Sequence, residues 1–185
     1  MNIYDFDKTI YDGDSSIDFY KFCVKKNKIL LLNSFKVLFY YFLYFFKIKN
    51  KNDVKEVFFS FLGKVNNIDE VVNIFFEKHK YKIKDFYLSK NHSKDIIISA
   101  SPEFLLKPFA SYLKVKDLIA SDVDISTGKF KRDNCKCKNK VKYLKEKYPE
   151  IVVNEVYSDS LSDIPLMEIS KKAYIVKGNK IKKYK

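Results

Sequence analysis

Three observations in the sequence predict an α/β fold built on a parallel sheet. A short apolar run at residues 2–6 has the character of a buried strand. Residues 15–91 then follow a helical pattern, and from residue 95 onward strands alternate with helices. Because such alternation builds parallel sheets, we expect residues 1–12 and 92–185 to form the core and residues 13–91 to form an inserted α-helical cap.

The insertion contains several helical repeats of apolar residues. Apolar residues recur at helical spacing at Ile17, Tyr20 and Val24, then at Val54, Val57, Phe58, Phe61 and Leu62, and again at Ile68, Val71, Val72, Phe75 and Phe76. The second helix is expected to start at Asn52 or Asp53. The third should start at Asn67, which stands three residues before Glu70 as in a capping box.

The stretch Ile29–Phe46 is apolar around the whole circumference of a helix, so it requires burial in protein or in lipid. It reaches the lower limit of length for a membrane span, but Lys36 near its centre costs roughly 2.5–3.5 kcal/mol on insertion scales. Asn33 and Ser34 add to that cost. We therefore expect a buried cap helix, with shallow contact to an anionic membrane as the alternative.

The second half of the chain supplies the remaining strands and helices. The β-branched run Asp95–Ser99 is typical of a parallel strand buried on both faces. Ser101 is expected to cap the next helix, with Pro102 at its first position. The later elements are a strand and hairpin at residues 118–133, a helix at 139–148, a strand at 150–158, a helix after Ser162 and a strand at 173–176.

Composition limits the class of protein but selects no partner. The formal net charge is +13, yet the lysines are spread along the chain and no nucleic-acid-binding motif is recognisable, so no nucleic acid partner is expected. Three cysteines indicate a reducing compartment. Because Asp5 and Asp7 interrupt any apolar leader, we predict a cytoplasmic protein, possibly associated with membrane. The oligomeric state cannot be predicted from these features.

Acidic and hydroxyl side chains stand where the predicted strands end. Asp5, Ser99 and Asp159 each follow a strand, and the carboxyl ends of parallel strands are where ligands bind. With Asp7 and Asp163 nearby, the carboxylates would repel each other without a cation, and their hard oxygen atoms suit Mg²⁺. Asp5 and Asp7 point to opposite sides of an extended chain, so one is expected to bind the ion only through its carbonyl.

Four segments carry a family resemblance. The run DFDKT at 5–9 resembles the first motif, DxDx[TV], of the haloacid dehalogenase-like (HAD) phosphatases, and IIISAS at 96–101 resembles their second. Lys140 resembles the third-motif lysine, with Lys138 as the alternative, and SDSLSD at 158–163 resembles GDSxxD. The ordered set covers nearly the whole chain. A helical block between the first two motifs is similar to the phosphoserine phosphatase-like subclass, which implies a Rossmann-like, three-layer α/β/α core with an α-helical cap.

The resemblance implies roles for the acidic residues. Asp5 would attack phosphorus and form an aspartyl-phosphate. Asp7 would protonate the leaving oxygen and then deprotonate water. Mg²⁺ would be held by Asp5, the Asp7 carbonyl and Asp159, with Asp163 supporting the metal.

The resemblance also implies a phosphate subsite. Ser99, Ala100, Lys140 and Thr9 would bind the phosphoryl group or shape the loop around it, and Asp14 could orient the substrate. One residue departs from the family pattern: Ser158 stands where the family usually has Gly, which would loosen the loop if that position required glycine.

The predicted function is a Mg²⁺-dependent phosphomonoester hydrolase that acts on a small phosphorylated metabolite, and the resemblance to the phosphoserine phosphatase-like subclass makes a phosphoserine-like substrate one candidate. Two alternatives remain open. In one, the same chemistry acts on a lipid phosphate such as phosphatidylglycerophosphate, with Ile29–Phe46 as the membrane contact. In the other, the protein is a non-catalytic phosphate-binding module.

Overall fold

The computed structural model describes residues 1–89 and 91–185, and its centre is a mixed sheet. The strands found in these residues are β1 (Asn2–Tyr4), β2 (Ile96–Pro102), β3 (Asp117–Ser121), β4 (Val153–Ser158), β5 (Ser170–Lys177) and β6 (Lys180–Lys183). They are ordered β3-β2-β1-β4-β5-β6, and β6 alone among them runs antiparallel to its neighbour.

The helices fall into two groups along the chain. Between β1 and β2 lie α1 (Ser15–Lys26), α2 (Leu32–Phe45), α3 (Lys51–Phe59), α4 (Ile68–His79) and α5 (Asp85–Leu88). After β2 come α6 (Glu103–Leu113), α7 (Lys138–Lys147) and α8 (Ile164–Glu168). The division into a core of residues 1–12 and 92–185 and a cap of residues 13–91 stays a prediction.

Each face of the sheet is covered by its own apolar cluster. Tyr4 and Ile97 belong to a cluster that includes residues of α1, α4 and α6. Ile3 and Ile96, their neighbours along the strands, belong to a second cluster with residues of α7 and α8. Because successive strand side chains point to opposite faces, both clusters are built from the same strands. The predicted three-layer α/β/α, Rossmann-like core is confirmed.

Ser101 does not cap a helix, contrary to the prediction. It lies in β2, and α6 begins at Glu103 after Pro102, which is the N-cap and has no side-chain donor or acceptor. The Ser101 hydroxyl instead donates to the carboxylate of Asp7. As an N-cap, the Ser101 oxygen would accept from a backbone N–H of the helix, whereas here the hydroxyl donates to a carboxylate, and a hydrogen bond to a charged acceptor is the stronger of the two.

One other predicted helix start was wrong, and one predicted capping box does not form. Helix α3 is capped by Asn50, which forms a full capping box with Asp53, rather than by Asn52 or Asp53. Asn67 precedes α4 but has φ 50°, and its side chain makes no capping bond. Side-chain capping requires an extended backbone at the N-cap, so the predicted box with Glu70 does not form.

The prediction that α2 is a buried cap helix was wrong. Phe35, Leu38 and Phe45 expose 69%, 68% and 76% of their surface. The helix is held from one side only, where Asn33 donates to the Phe58 carbonyl at 2.9 Å and accepts from the Ser60 hydroxyl at 2.8 Å. Among the described residues, one stretch, Lys28–Phe45, has the length and composition of a membrane span.

Close backbone packing joins the helical insertion to the loop after β3. Gly128 has φ +76°, and a Cβ there would lie 2.4 Å from the carbonyl carbon of Phe59. Nearby, the Phe130 N–H donates to Glu56 of α3 at 3.1 Å. Only glycine permits both the left-handed backbone and this contact, so Gly128 fixes how α3 sits on the core.

Candidate active site

The floor of the site is a buried group of charges at the carboxyl edge of the sheet. Asp5 follows β1 and is fixed by its N–H, which donates to the Tyr157 carbonyl at 2.9 Å. The Lys140 ammonium, near the start of α7, donates to Asp5 Oδ1 at 2.7 Å and to Asp163 Oδ2 at 2.6 Å. Only 3% of the Lys140 and Asp163 side chains is exposed. The structure thus places Lys140, not the exposed Lys138, beside Asp5.

A tight loop after β1 brings Asp7 to the same place. The N–H groups of Ile10 and Tyr11 both donate to the Phe6 carbonyl at 2.9 Å, and Lys8 takes a left-handed φ of 58°. Such a conformation is strained for a residue with a side chain and is common at functional sites. The chain therefore turns back sharply directly after Asp7.

The Asp7 carboxylate is held by two different elements. The Ser15 N–H, at the start of α1, donates to Asp7 Oδ1 at 2.6 Å, and the Ser101 hydroxyl at the end of β2 donates to Oδ2. Asp14 caps α1 by accepting from the Ile17 N–H at 3.0 Å, and its own charge lies near Asp7. Asp7 is consequently oriented by both the sheet and helix α1.

Burial perturbs the acid–base properties of these groups. It raises the pKa of Asp5 to about 7, although Lys140 opposes the rise. It raises the pKa of Asp7 to about 6, helped by the charge of Asp14 and opposed by the Ser101 and Ser15 hydrogen bonds. Burial lowers the pKa of Lys140, but the two carboxylates beside it outweigh this and raise it above its usual range. Lys140 is therefore charged at neutral pH, and Asp7 can exchange a proton there.

Ser158 does not loosen the loop after β4. Its backbone is not among the positive-φ positions, so glycine is not required there. The Ser158 hydroxyl donates to Asp163 Oδ2 at 2.8 Å and accepts from the Ser160 N–H at 3.1 Å. Ser158 thus helps to fix Asp163, which in turn positions Lys140.

A cavity of about 470 Å³ opens above this floor. Of the predicted site residues, it is lined by Asp5, Asp7, Asp14, Ser99, Ala100, Lys140, Asp159 and Asp163. Thr9 does not line it; its hydroxyl lies 3.4 Å from Asp5 Oδ2, which places Thr9 as a support of Asp5. Ser99 Oγ accepts from the Ser101 N–H at 3.1 Å. The structure therefore gathers all predicted site residues except Thr9 around one space.

Several lining residues were not predicted from the sequence. Lys55 reaches the cavity from α3 and donates to the Ala100 carbonyl at 3.1 Å, and burial lowers its pKa to about 8. Lys136 also lines the cavity, as do apolar residues of the helices between β1 and β2: Ile17, Val37, Tyr41, Val54, Phe58 and Phe59. Lys55 lies within an ordinary amphipathic helix, so no sequence signal distinguished it from a solvated lysine.

Comparison with family models decides the classification of the chain. Residues 3–168 match the model of the haloacid dehalogenase-like hydrolases. The chain belongs to this family. The match begins in β1 and ends in α8, so it spans all of the segments that form the cavity floor.

Solved structures similar to this HAD-like hydrolase agree on the fold. A protein of unknown function from Bordetella pertussis Tohama I is 16% identical, with coverage of 94% of this chain and 87% of that chain and a TM-score of 0.75. A phosphoserine phosphohydrolase-like protein from Francisella tularensis subsp. tularensis SCHU S4 is 18% identical, with coverage of 94% and 86% and a TM-score of 0.55. A phospho-aspartyl intermediate analogue of phosphoserine phosphatase is 11% identical, with coverage of 92% and 83% and a TM-score of 0.55. The search of curated proteins found no match.

The donor atoms of this HAD-like site fit a magnesium ion. Among the described residues, no three metal-ligating side chains form a compact group. Mg²⁺, however, keeps several waters and needs only one or two protein carboxylates. Asp5 and Asp159 line the same cavity with Asp7, whereas the Asp163 carboxylate already accepts from Lys140 and Ser158. Burial raises the pKa of Asp159, and the neighbouring lysines Lys8 and Lys140 oppose the rise.

Proposed function

We propose that the chain is a Mg²⁺-dependent phosphomonoester hydrolase that forms an aspartyl-phosphate on Asp5. The observation that carries the proposal is the Lys140 ammonium, held 2.7 Å from Asp5 on the floor of a cavity that also contains Asp7. A buried cation beside a nucleophilic carboxylate offsets the negative charge that an incoming phosphoryl group adds. Mg²⁺, held by Asp5, Asp159 and the Asp7 carbonyl, would supply further charge neutralisation when bound.

In the first half-reaction, an oxygen of Asp5 attacks phosphorus and the bond to the leaving oxygen breaks. Asp7, protonated near its pKa of about 6, donates its proton to that oxygen, so the product leaves as an alcohol. Lys140 and Ser99, which both line the cavity, bind the phosphoryl oxygens during transfer. Asp163 and Ser158 hold Lys140 in place.

In the second half-reaction, water attacks the phosphorus of the aspartyl-phosphate and restores the Asp5 carboxylate. Asp7, now deprotonated, accepts the proton of that water. Its orientation by Ser15 and Ser101 is the same in both steps, so one residue serves first as acid and then as base. Inorganic phosphate is the second product.

The proposed substrate is a small phosphorylated metabolite or headgroup. A substrate-bound phosphoserine phosphatase complex is among the similar structures, at 12% identity, with coverage of 92% of this chain and 82% of that chain and a TM-score of 0.52. Lys55 and Lys136 add positive charge above the floor, which fits an anionic substrate. The apolar wall of the cavity favours a second candidate, a lipid phosphomonoester.

The test measures hydrolysis of p-nitrophenyl phosphate with and without Mg²⁺. The wild type should release phosphate only with Mg²⁺, and Asp5→Asn should lower the rate by at least about 10³-fold with an unchanged circular dichroism spectrum. Asp133→Asn, at an exposed acid, is the matched control and should be fully active. Borohydride reduction during turnover, followed by mass spectrometry, should modify Asp5.

Two outcomes would contradict this proposal. Unchanged turnover in Asp5→Asn would remove Asp5 as the nucleophile. Tight phosphate binding by a wild type that never releases phosphate from any phosphomonoester would instead establish the non-catalytic phosphate-binding module.

A further inference from the structure

Helix α2 and the residues beside it carry an exposed apolar surface, here called the outer face. Its residues recur every three or four positions and so lie on one side of the helix: Leu31, Leu32, Phe35, Leu38, Phe39, Phe42, Phe45 and Phe46. The opposite side carries Asn33, whose amide bonds to the backbone of α3. The most apolar side of the helix therefore faces outward, which marks an interaction surface rather than a core.

The charges along the segment that carries the outer face are all positive. Between Asp18 and Asp53 the sequence contains no aspartate or glutamate, but it contains lysines at positions 21, 25, 26, 28, 36, 47, 49 and 51. Those at 25, 26 and 28 precede α2, and those at 47, 49 and 51 follow it, so cations flank the apolar surface at both ends. An apolar face with flanking lysines is complementary to the surface of an anionic bilayer.

The outer face fits a position on the membrane surface rather than across it. The stretch Lys28–Phe45 has the length of a membrane span, but Lys36 lies near its centre and would be costly to place in the hydrocarbon core. The hydrogen bonds of Asn33 and Ser60 also tie α2 to α3, which packs on the core. The helix would thus lie parallel to the surface with its phenylalanines in the interfacial region.

An apolar groove lies next to the catalytic cavity and reaches the outer face. Ile17, Val37, Tyr41 and Phe58 line the cavity above Asp5 and also line a neighbouring groove of about 500 Å³. That groove extends to Leu38, which belongs to the outer face. The site is therefore polar where the phosphate would bind and apolar on the side toward α2.

We propose that the outer face of α2 docks on an anionic lipid bilayer, and that the groove beside it admits the apolar part of a lipid phosphomonoester. The substrate claim rests on the proposed function, whereas the docking claim does not. The chemistry is the hydrolysis already described: the phosphate ester bond of the lipid headgroup breaks, water supplies the new oxygen on phosphorus, and a lipid alcohol and inorganic phosphate leave.

Flotation of the full-length protein with vesicles tests the docking claim. The wild type should float with phosphatidylcholine–phosphatidylglycerol vesicles at low salt. The triple variant Phe35→Gln/Phe39→Gln/Phe42→Gln should lose at least about ten-fold in partition coefficient. The matched control Tyr81→Gln/Val152→Gln/Tyr184→Gln changes three other exposed apolar residues and should float as the wild type does.

A second pair of variants tests the role of charge. Lys47→Gln/Lys49→Gln/Lys51→Gln should weaken binding by roughly five-fold per lysine. The control Lys180→Gln/Lys182→Gln/Lys183→Gln removes the same charge from β6 and should have a smaller effect. Equal losses in the two variants would mean that net charge alone governs binding, and this would overturn the assignment to α2.

The substrate claim is tested with phosphatidic acid in the same vesicles. The wild type should release phosphate from it, and the outer-face triple variant should lose this activity while it hydrolyses p-nitrophenyl phosphate at the wild-type rate. A wild type that floats and is active on the aryl phosphate, but leaves phosphatidic acid intact, would overturn the lipid substrate.

The failures of the two proposals are distinguishable. If Asp5→Asn keeps its aryl phosphatase activity, the proposed function fails whatever the vesicles show. If the wild type does not float with anionic vesicles, the docking proposal fails and the hydrolase stands. A concentration-dependent dimer in light scattering that the outer-face variant abolishes, without flotation of the wild type, would assign this surface to a second copy of the chain.

Discussion

On the cavity floor, Asp5, Lys140 and Asp163 are almost wholly buried, although they are charged. On helix α2, by contrast, Phe35 and Phe45 expose 69% and 76% of their surface, although they are apolar. Both regions oppose the usual distribution of residues in a folded protein. The floor does so within a network of short hydrogen bonds, whereas α2 does so with no partner on its outer face among the described residues.

The difference indicates which kind of ligand each region would complement. Two carboxylates share one ammonium on the floor, so a divalent cation would complement this group. The outer face combines exposed apolar area with lysines along the same segment, so an anionic and apolar surface would complement it. Residues whose burial or exposure is unfavourable in the isolated chain thus indicate the kind of ligand that would stabilise them.

The largest expected effect comes from removing the cation on the floor. Lys140→Met leaves Asp5 and Asp163 buried without their partner, so it should destabilise the fold by about 3–5 kcal/mol and lower the hydrolysis rate by about 10²–10³-fold. Lys138→Met, two residues earlier and exposed, is the control. Urea unfolding and p-nitrophenyl phosphate assays measure both effects, and equal behaviour of the two variants would show that the floor does not depend on Lys140.

The second effect tests the contact that holds α3, and with it α2, on the core. Gly128→Ala combines a left-handed backbone with a Cβ placed against Phe59, so it should destabilise the protein by about 2–4 kcal/mol. Gly178→Ala is the matched control because it has φ +57° but no atom within 4 Å of its added Cβ. It should cost only about 1–2 kcal/mol. If Gly128→Ala and Gly178→Ala had similar midpoints of urea unfolding, the backbone of Phe59 would not pack closely against Gly128.

The third effect depends on pH and on the absence of metal. Burial raises the folded-state pKa of Asp5 from 3.8 to about 7. Between these two pH values, the folded state therefore binds more protons than the unfolded state. The stability contribution of Asp5 is therefore greatest below the unfolded pKa and is lost as the pH rises through about 7. In EDTA, Asp5→Asn should melt at a higher temperature than the wild type above this pH, and the difference should shrink under acid conditions. If the difference in melting temperature between Asp5→Asn and the wild type did not change with pH, the raised pKa of Asp5 would be contradicted.

The smallest expected effect is on α2 itself. Phe39→Ala should change the free energy of unfolding by less than about 0.5 kcal/mol, because the ring is already largely exposed to water. Phe75→Ala, in the core, should cost about 3–5 kcal/mol. A large loss in Phe39→Ala would show that the outer face packs against the protein in solution.

The sequence alone was sufficient to predict the site residues whose positions follow from the order of the strands. Asp5 and Lys140 were predicted because parallel strands end at one edge and because the motifs occur in a fixed order. Lys55 could not be predicted, since it reaches the Ala100 carbonyl only through the docking of α3 on the core. The exposure of α2 could not be predicted either, because hydrophobicity shows that a helix avoids water but not whether protein or lipid covers it.

Predictions from neighbouring residues failed where the tertiary fold supplied the hydrogen-bond partner of a side chain. Ser101 stands before a proline and a helix, which is the ordinary setting of an N-cap, but its hydroxyl bonds to Asp7, 94 residues away in the chain. Ser158 was expected to loosen its loop only if that position required glycine; its backbone has no such requirement, and its hydroxyl donates to Asp163.

The attachment of Asp7 to both Ser15 and Ser101 has a further consequence. The Ser15 N–H belongs to the inserted helices and the Ser101 hydroxyl to the sheet, and each of these bonds stabilises the ionised form of Asp7. Displacement of α1 away from the sheet would break the first bond and make Asp7 a weaker acid. Proton uptake at this position and movement of the helices are therefore thermodynamically linked, so any ligand that shifts one must shift the other.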